Sequence, residues 1–283
     1  LKRLFPFFLA CLALASCLSA FSAAVPAEID TSHSSEGIVS VRHVDPAEKR
    51  LKVQIKYGGK ITYNYDLNQG GAWETFPLQF GDGEYKVSVF ENIRGASYAQ
   101  LCSISFSVRL EDEFSPFLQA NQRVNFNEET LAVKKAEKLC RELKKDVDKV
   151  DAIYQYVIET YSYDKQKAQD AIDGKLTGYV PDLDEIYRAK SGICYDYAAL
   201  MAAMLRSQGV PAKLVTGYVA PDSLYHAWNE VYLEGKGWVT KSIYFDGQEW
   251  KLMDPTFASS QNNSVSILKF IGNGKNYMEK YYF

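Results

Sequence analysis

Three residues far apart in the chain have the side chains a thiol enzyme needs: Cys194, His226 and Asp254. A thiolate is a strong nucleophile and an imidazole can take the thiol's proton. A carboxylate behind the imidazole fixes its tautomer and stabilises the cation that forms. Each also has a bland reading: a core thiol, a structural strand histidine, and a carboxylate ending a strand before Pro255. The order Cys, His, Asp, one at a helix start and two on successive strands, is what joins them.

The elements around these residues follow from local pattern. Cys194 comes directly after Ser191-Gly192, where the chain can turn, and lies in the first turn of a helix expected from about Ile193 to Gln208 and closed by Gly209. Unpaired amides and the positive end of the helix dipole favour a thiolate there. Ala198 to Leu205 is an unbroken apolar run, so this helix has no polar face and must be buried. His226 starts a strand to Leu233, with Trp228 and Tyr232 on its face and Ala227, Val231 and Leu233 opposite. Further strands are expected at Ala212 to Val219, Trp238 to Tyr244 and Trp250 to Asp254. A short helix, Leu183 to Ala189, carries a capping-box spacing in Asp182 and Glu185. Two more helices are expected at Thr130 to Leu143 and Val147 to Tyr161, the first with a stripe of Leu131, Lys135, Leu139 and Leu143 and with Cys140 beside it.

Upstream of these helices the period changes to two. Runs at 38–41, 51–57, 61–65, 84–90 and 102–108 alternate apolar and polar residues and are separated by turn signals such as Gly58-Gly59 and Gly70-Gly71. They predict a small antiparallel sandwich in which Cys102, Ile104, Phe106 and Val108 share a core face. A Cys102–Cys140 disulfide would tie sandwich to helices, but two core cysteines in different domains make free thiols the simpler expectation.

With 283 residues, 47% hydrophobic and 24% charged, the chain can bury a large core and is not disordered by composition. It opens on Leu1, not Met, which fits a non-standard start codon or a truncated end. Lys2-Arg3 followed by the apolar run from Leu4 to Ala15 has the layout of an export signal. Cleavage after Ala27 or Ala24 is expected, and Leu14-Ala15-Ser16-Cys17 offers the alternative of a lipid anchor on Cys17. The expected division is a signal at 1–27, a β-sandwich domain at 28–112 and an α+β catalytic domain at 113–283. Removing residues 1–27 moves the net charge from −3 to −5, which is no footprint for nucleic acid. No later run is long enough to span a bilayer. The three histidines, His33, His43 and His226, are scattered, no paired metal-ligand spacing occurs, and no cofactor or metal is expected.

The blocks Ser191-Gly192-Ile193-Cys194-Tyr195-Asp196-Tyr197-Ala198, His226-Ala227-Trp228-Asn229-Glu230-Val231-Tyr232 and Asp254-Pro255-Thr256 together resemble the signature blocks of the transglutaminase-like superfamily, over roughly residues 147–257. The resemblance implies a papain-like α+β core, with a central helix bearing the cysteine packed on an antiparallel sheet bearing the histidine and aspartate. The whole chain also resembles secreted bacterial proteins that place a β domain before such a core. The implied chemistry is thiolate attack on a peptide or carboxamide carbonyl, giving a thioester that water or an amine resolves. The Cys194 amide and a second donor would hold the oxyanion. No Gln or Trp stands just before Cys194, so Tyr179, Tyr187 or Tyr195 would have to serve, and Trp228 is a candidate substrate contact. The stretch Thr240 to Glu249 is longer than in the family's short form.

Because the superfamily contains peptidases, cross-linking enzymes, peptide N-glycanases and inactive members, fold alone leaves three functions open. The first is a secreted cysteine hydrolase acting on protein, peptide or cell-wall substrates. The second is an amine-transferring cross-linker. The third is a non-catalytic surface-binding module, with residues such as Trp73 free to stack on sugars.

Overall fold

The computed structural model describes residues 26–219, 224–239 and 277–283. Its first part is built of seven strands: β1 (Ala27–Asp30), β2 (Ile38–His43), β3 (Leu51–Tyr57), β4 (Ile61–Leu67), β5 (Glu74–Pro77), β6 (Gly83–Arg94) and β7 (Ser97–Val108). They form two antiparallel sheets, ordered β1-β2-β5 and β4-β3-β6-β7. Strand alternation does the sorting. In β3, Leu51, Val53 and Ile55 are buried while Lys52, Gln54 and Lys56 point outward. Val39, Val41 and Phe76 from one sheet join Val53, Ile55, Tyr85 and Val87 from the other in a common core.

One expectation changes here. The face Cys102-Ile104-Phe106-Val108 is only partly core: Val108 is buried, Cys102 and Phe106 are half-buried and Ile104 is 39% exposed. The strand β7 is the edge of its sheet, and the short β1 covers it only in part; the Cys102 thiol reaches the Ala27 carbonyl at 3.6 Å. A boundary after Ala27 would also cut into β1, since Ala27 is buried and pairs with His43, and Pro26 accepts from the Val44 amide. The alternative after Ala24 leaves this strand whole. Residues 1–25, with the leader and Cys17, lie outside the described residues.

The second part comprises α1 (Leu131–Cys140), α2 (Asp146–Thr160), β8 (Ser162–Tyr163), α3 (Lys165–Ile172), α4 (Leu183–Ala189), β9 (Ser191–Gly192), α5 (Cys194–Arg206), β10 (Ala212–Val219), β11 (Leu224–Leu233), β12 (Gly237–Val239) and β13 (Tyr277–Tyr282). The strands order as β12-β11-β10-β13, all antiparallel. This is the expected α+β core, with α5 packed on β10 and β11 and flanked by α1, α2 and α4. Every residue from Ala198 to Leu205 is fully buried, as an all-round apolar helix requires. Gly209 then adopts φ +76°, the left-handed conformation that ends a helix.

The buried stripe of α1 is Ala132, Ala136 and Cys140, one position along from the expected leucines. Small residues at spacing four let α1 sit close among its neighbours α2, α4 and α5, and the leucines are half-buried. The helix α3 and strand β13 had no clear pattern in the sequence. The expected strand from Trp250, and the remainder of the one from Trp238, lie outside the described residues. Cys102, Cys140 and Cys194 are all free thiols.

The C-terminal strand ties the two parts together. Rings of Tyr281 and Phe283 meet Tyr63 of β4 at 5.1 and 5.7 Å, and Gln79 donates to the Tyr282 carbonyl at 3.1 Å. Arg206, at the end of α5, donates to three carbonyls: Ala212 at 2.9 Å, Gln119 at 2.8 Å and Phe283 at 2.7 Å. Burial pulls its guanidinium down to about 9, still charged at neutral pH.

Candidate active site

The N-terminus of α5 is held by a clamp that begins one turn earlier. Ser191-Gly192 pairs in parallel with Ser162-Tyr163, and the Asp164 amide donates to the Gly192 carbonyl at 2.9 Å. Gly192 is required by packing, because a Cβ there would stand 2.7 Å from the Asp196 Cβ. The Asp196 carboxylate, fully buried, accepts from the Ile193 amide at 2.8 Å, the Tyr179 hydroxyl at 2.6 Å and Lys167 Nζ at 2.7 Å. A buried anion needs such a complete set of donors. It fixes the first turn, and with it Cys194, which is half-buried. Lys167 comes from α3, whose own cap is Asp164 accepting from the Lys167 amide at 2.8 Å.

His226 reaches the same region from β11, where it pairs with Gly217 of β10. It is 4% exposed. Three residues on, Asn229 donates to the Ala198 carbonyl of α5 at 2.9 Å and to the Lys213 carbonyl at 3.2 Å. That side chain locks β11 against the helix one turn after Cys194. Gly217 also allows β13 to approach, since a Cβ there would lie 2.0 Å from the Met278 carbonyl oxygen.

These elements enclose a cavity of about 440 Å3 whose lining includes both Cys194 and His226, together with Tyr179, Tyr195, Thr216 and Arg123. One wall belongs to the first part of the chain: Tyr63, Asn64 and Asp66 of β4. Of the sequence candidates, Cys194, His226, Tyr179 and Tyr195 thus share one cavity, and Asp254 lies outside the described residues. Trp228 does not line it. That ring is 2% exposed and packs edge-on against Tyr277 at 5.1 Å. Tyr187 is also elsewhere, its ring under Lys190 Nζ at 3.3 Å.

The two tyrosines differ in what they can donate. The Tyr179 hydroxyl is committed to Asp196, and burial together with that carboxylate pushes its ionisation well above the usual range. The Tyr195 hydroxyl accepts from Arg123 Nη1 at 3.1 Å, which leaves its own proton available. Burial raises its ionisation too, so it remains a neutral donor. Sequence reasoning passed over Lys167, Arg123 and Asn229; only the Asp196 carboxylate beside Cys194 in an apolar helix hinted that a buried cation had to exist.

Residues 133–255 match the family model of the transglutaminase-like superfamily. This segment belongs to that superfamily. Over an alignment of 110 residues, covering 33% of the chain and 14% of the relative, the chain is 30% identical to the YebA protein of Bacillus subtilis strain 168. Kyphoscoliosis peptidase of Mus musculus is 29% identical over 131 residues, 43% of this chain and 17% of the relative. A protein-glutamine gamma-glutamyltransferase of Pseudomonas aeruginosa is 35% identical over 69 residues, 20% of this chain and 10% of that enzyme. The similarity therefore spans less than a fifth of the length of each of these curated relatives.

Proposed function

We propose that the chain is a cysteine-dependent acyl-transfer enzyme that hydrolyses peptide or carboxamide bonds. Cys194 is the nucleophile, His226 its general base and Asp254 the group that orients the imidazole. The observation that carries this reading is the shared cavity, into which a helix start brings the thiol and a strand brings the histidine. His226 takes the thiol proton as Sγ bonds to the carbonyl carbon, and returns it to the departing amine when the C–N bond breaks. Water, deprotonated by the same imidazole, then attacks the thioester carbon and releases the acid and the thiol. The oxyanion is received by the Cys194 amide, unpaired as at any helix start, and by the Tyr195 hydroxyl. The β region, up to about residue 112, and the core act as two domains of a secreted protein, with the leader removed after Ala24 so that β1 stays whole.

Iodoacetamide labelling tests the chemistry. Cys194 should react at neutral pH at least about 100-fold faster than Cys102 and Cys140, and His226→Ala should remove that advantage, in line with the roughly 10²–10⁴-fold that a positioned base contributes. Equal, slow labelling of all three thiols would leave the fold without the activity. Ammonia release from a glutamine peptide, with and without a primary amine, then separates hydrolysis from amine transfer: an amine-independent rate supports hydrolysis.

A further inference from the structure

Arg206 and Arg123 both reach between elements that are distant in sequence, and they are bonded very differently. Arg206 commits Nε, Nη1 and Nη2 to three backbone carbonyls. Arg123 has a single side-chain hydrogen bond among the described residues, from Nη1 to the Tyr195 hydroxyl at 3.1 Å. Its other neighbours are rings, with the guanidinium carbon 5.5 Å from the Phe283 centroid and 5.7 Å from that of Tyr65. Ring faces attract a cation but do not replace a hydrogen-bond acceptor. No carboxylate among the described residues forms an ion pair with Arg123. Asp66, which lines the same cavity, is held by Lys52 at 2.7 Å instead.

A tight turn sets the position of this side chain. Asn121 Oδ1 accepts from the Arg123 and Val124 amides at 3.0 and 3.1 Å, and Val124 is fully buried. Arg123 then lines the 440 Å3 cavity of Cys194 and His226, and so do Tyr195 and Phe283, two of the groups around its guanidinium. The charged head is therefore at the cavity wall. Nε is enclosed by protein and out of any ligand's reach, but Nη2, which also has no partner among the described residues, is not enclosed. A guanidinium stays charged at every physiological pH, and a partly buried cation with only a hydroxyl and two rings around it is incompletely compensated. Its natural complement is a carboxylate, which accepts short, charge-assisted hydrogen bonds from it.

We propose that Arg123 receives a carboxylate of the substrate, so that the cavity selects peptides with a negative charge beside the scissile bond. The placing relative to that bond rests on the function proposed above, whereas the carboxylate site does not. In that function the Tyr195 hydroxyl donates to the oxyanion while it accepts from Arg123, so one hydroxyl separates the guanidinium from the reacting carbonyl. An extended residue spans about 3.5 Å. The carboxylate accordingly belongs to a residue flanking the scissile bond, as a free C-terminal carboxylate or as an acidic side chain.

Calorimetric titration of the Cys194→Ala protein measures the site without turnover. Three probes are compared: N-acetyl-alanyl-alanine with its free C-terminal carboxylate, the C-terminal amide of the same peptide, and the amide of N-acetyl-alanyl-glutamate, whose only carboxylate is on the side chain. At least one of the two charged peptides should bind at least about tenfold more tightly than the neutral one, and which of them does so identifies the source of the carboxylate. Arg123→Met should abolish the preference, and Arg123→Lys, which keeps the charge without the planar fork, should retain part of it. If Arg123→Met does not fold, the comparison of peptides on the protein with Arg123 intact still decides. No binding of any peptide at millimolar concentration overturns the proposal, as do equal affinities for charged and neutral peptides or a preference that survives Arg123→Met. Selective labelling of Cys194 without a carboxylate preference would remove this inference alone, and a preference without selective labelling would keep the site and remove the enzyme.

Discussion

Replacing Lys167 by Met would leave the Asp196 carboxylate fully buried with two of its three donors, the Ile193 amide and the Tyr179 hydroxyl. Removing one partner of a buried ion pair costs about 3–5 kcal/mol when the remaining charge is uncompensated. The Lys167 side chain is 24% exposed, so water can approach the vacated position, and about 2–3 kcal/mol is the working figure. Asp196→Asn alone should cost about 1.5–3 kcal/mol, the worth of its charge-assisted hydrogen bonds. The double variant is the informative one. With no buried charge left to strand, Lys167→Met combined with Asp196→Asn should cost about 2–3 kcal/mol instead of the sum of the singles, and be no less stable than Lys167→Met alone. Urea unfolding of the four proteins measures the cycle, and iodoacetamide labelling of Cys194 in the folded state reports whether the first turn of α5 has loosened. Costs that add to within about 0.5 kcal/mol would refute the idea that a buried pair holds this turn.

Gly217→Ala should destabilise the chain by about 3 kcal/mol, the upper end for overpacking, because the new Cβ meets the Met278 carbonyl oxygen at 2.0 Å and the Trp228 ring at 2.9 Å; an unchanged melting temperature would mean β13 does not pack there. Glu230 is 4% exposed, and burial raises its ionisation above the usual carboxylate value despite Lys213 at 3.4 Å. The unfolded chain therefore releases this proton first, so the group's contribution is whole below about pH 4.5 and is lost as pH rises through the higher folded value. Melting curves from pH 4 to 8 should show Glu230→Gln gaining on the wild type as pH increases, and parallel profiles would count against it.

Local pattern was enough for five of the seven strands of the first part, where alternation reports a buried face directly, and it missed the four-residue β1 and β5, too short to show a period. It failed at β7, where an edge position left Ile104 exposed. The pattern also placed α4 and α5 to within a residue or two. For α1 it chose the leucines as the buried stripe, since hydrophobicity ranks them above alanine; the structure chose Ala132 and Ala136 because a neighbouring helix had to come close.

The sequence by itself determined that a cysteine would open a helix with no polar face, and that a histidine would sit on a strand. Both statements depend only on neighbours along the chain. What it could not determine is which distant groups meet: that Lys167 neutralises Asp196, that Asn229 locks β11 to α5, and that β4 walls the cavity of Cys194. Each depends on how separate elements pack, and a hydrogen bond or ion pair across such a contact leaves no periodic trace in the chain.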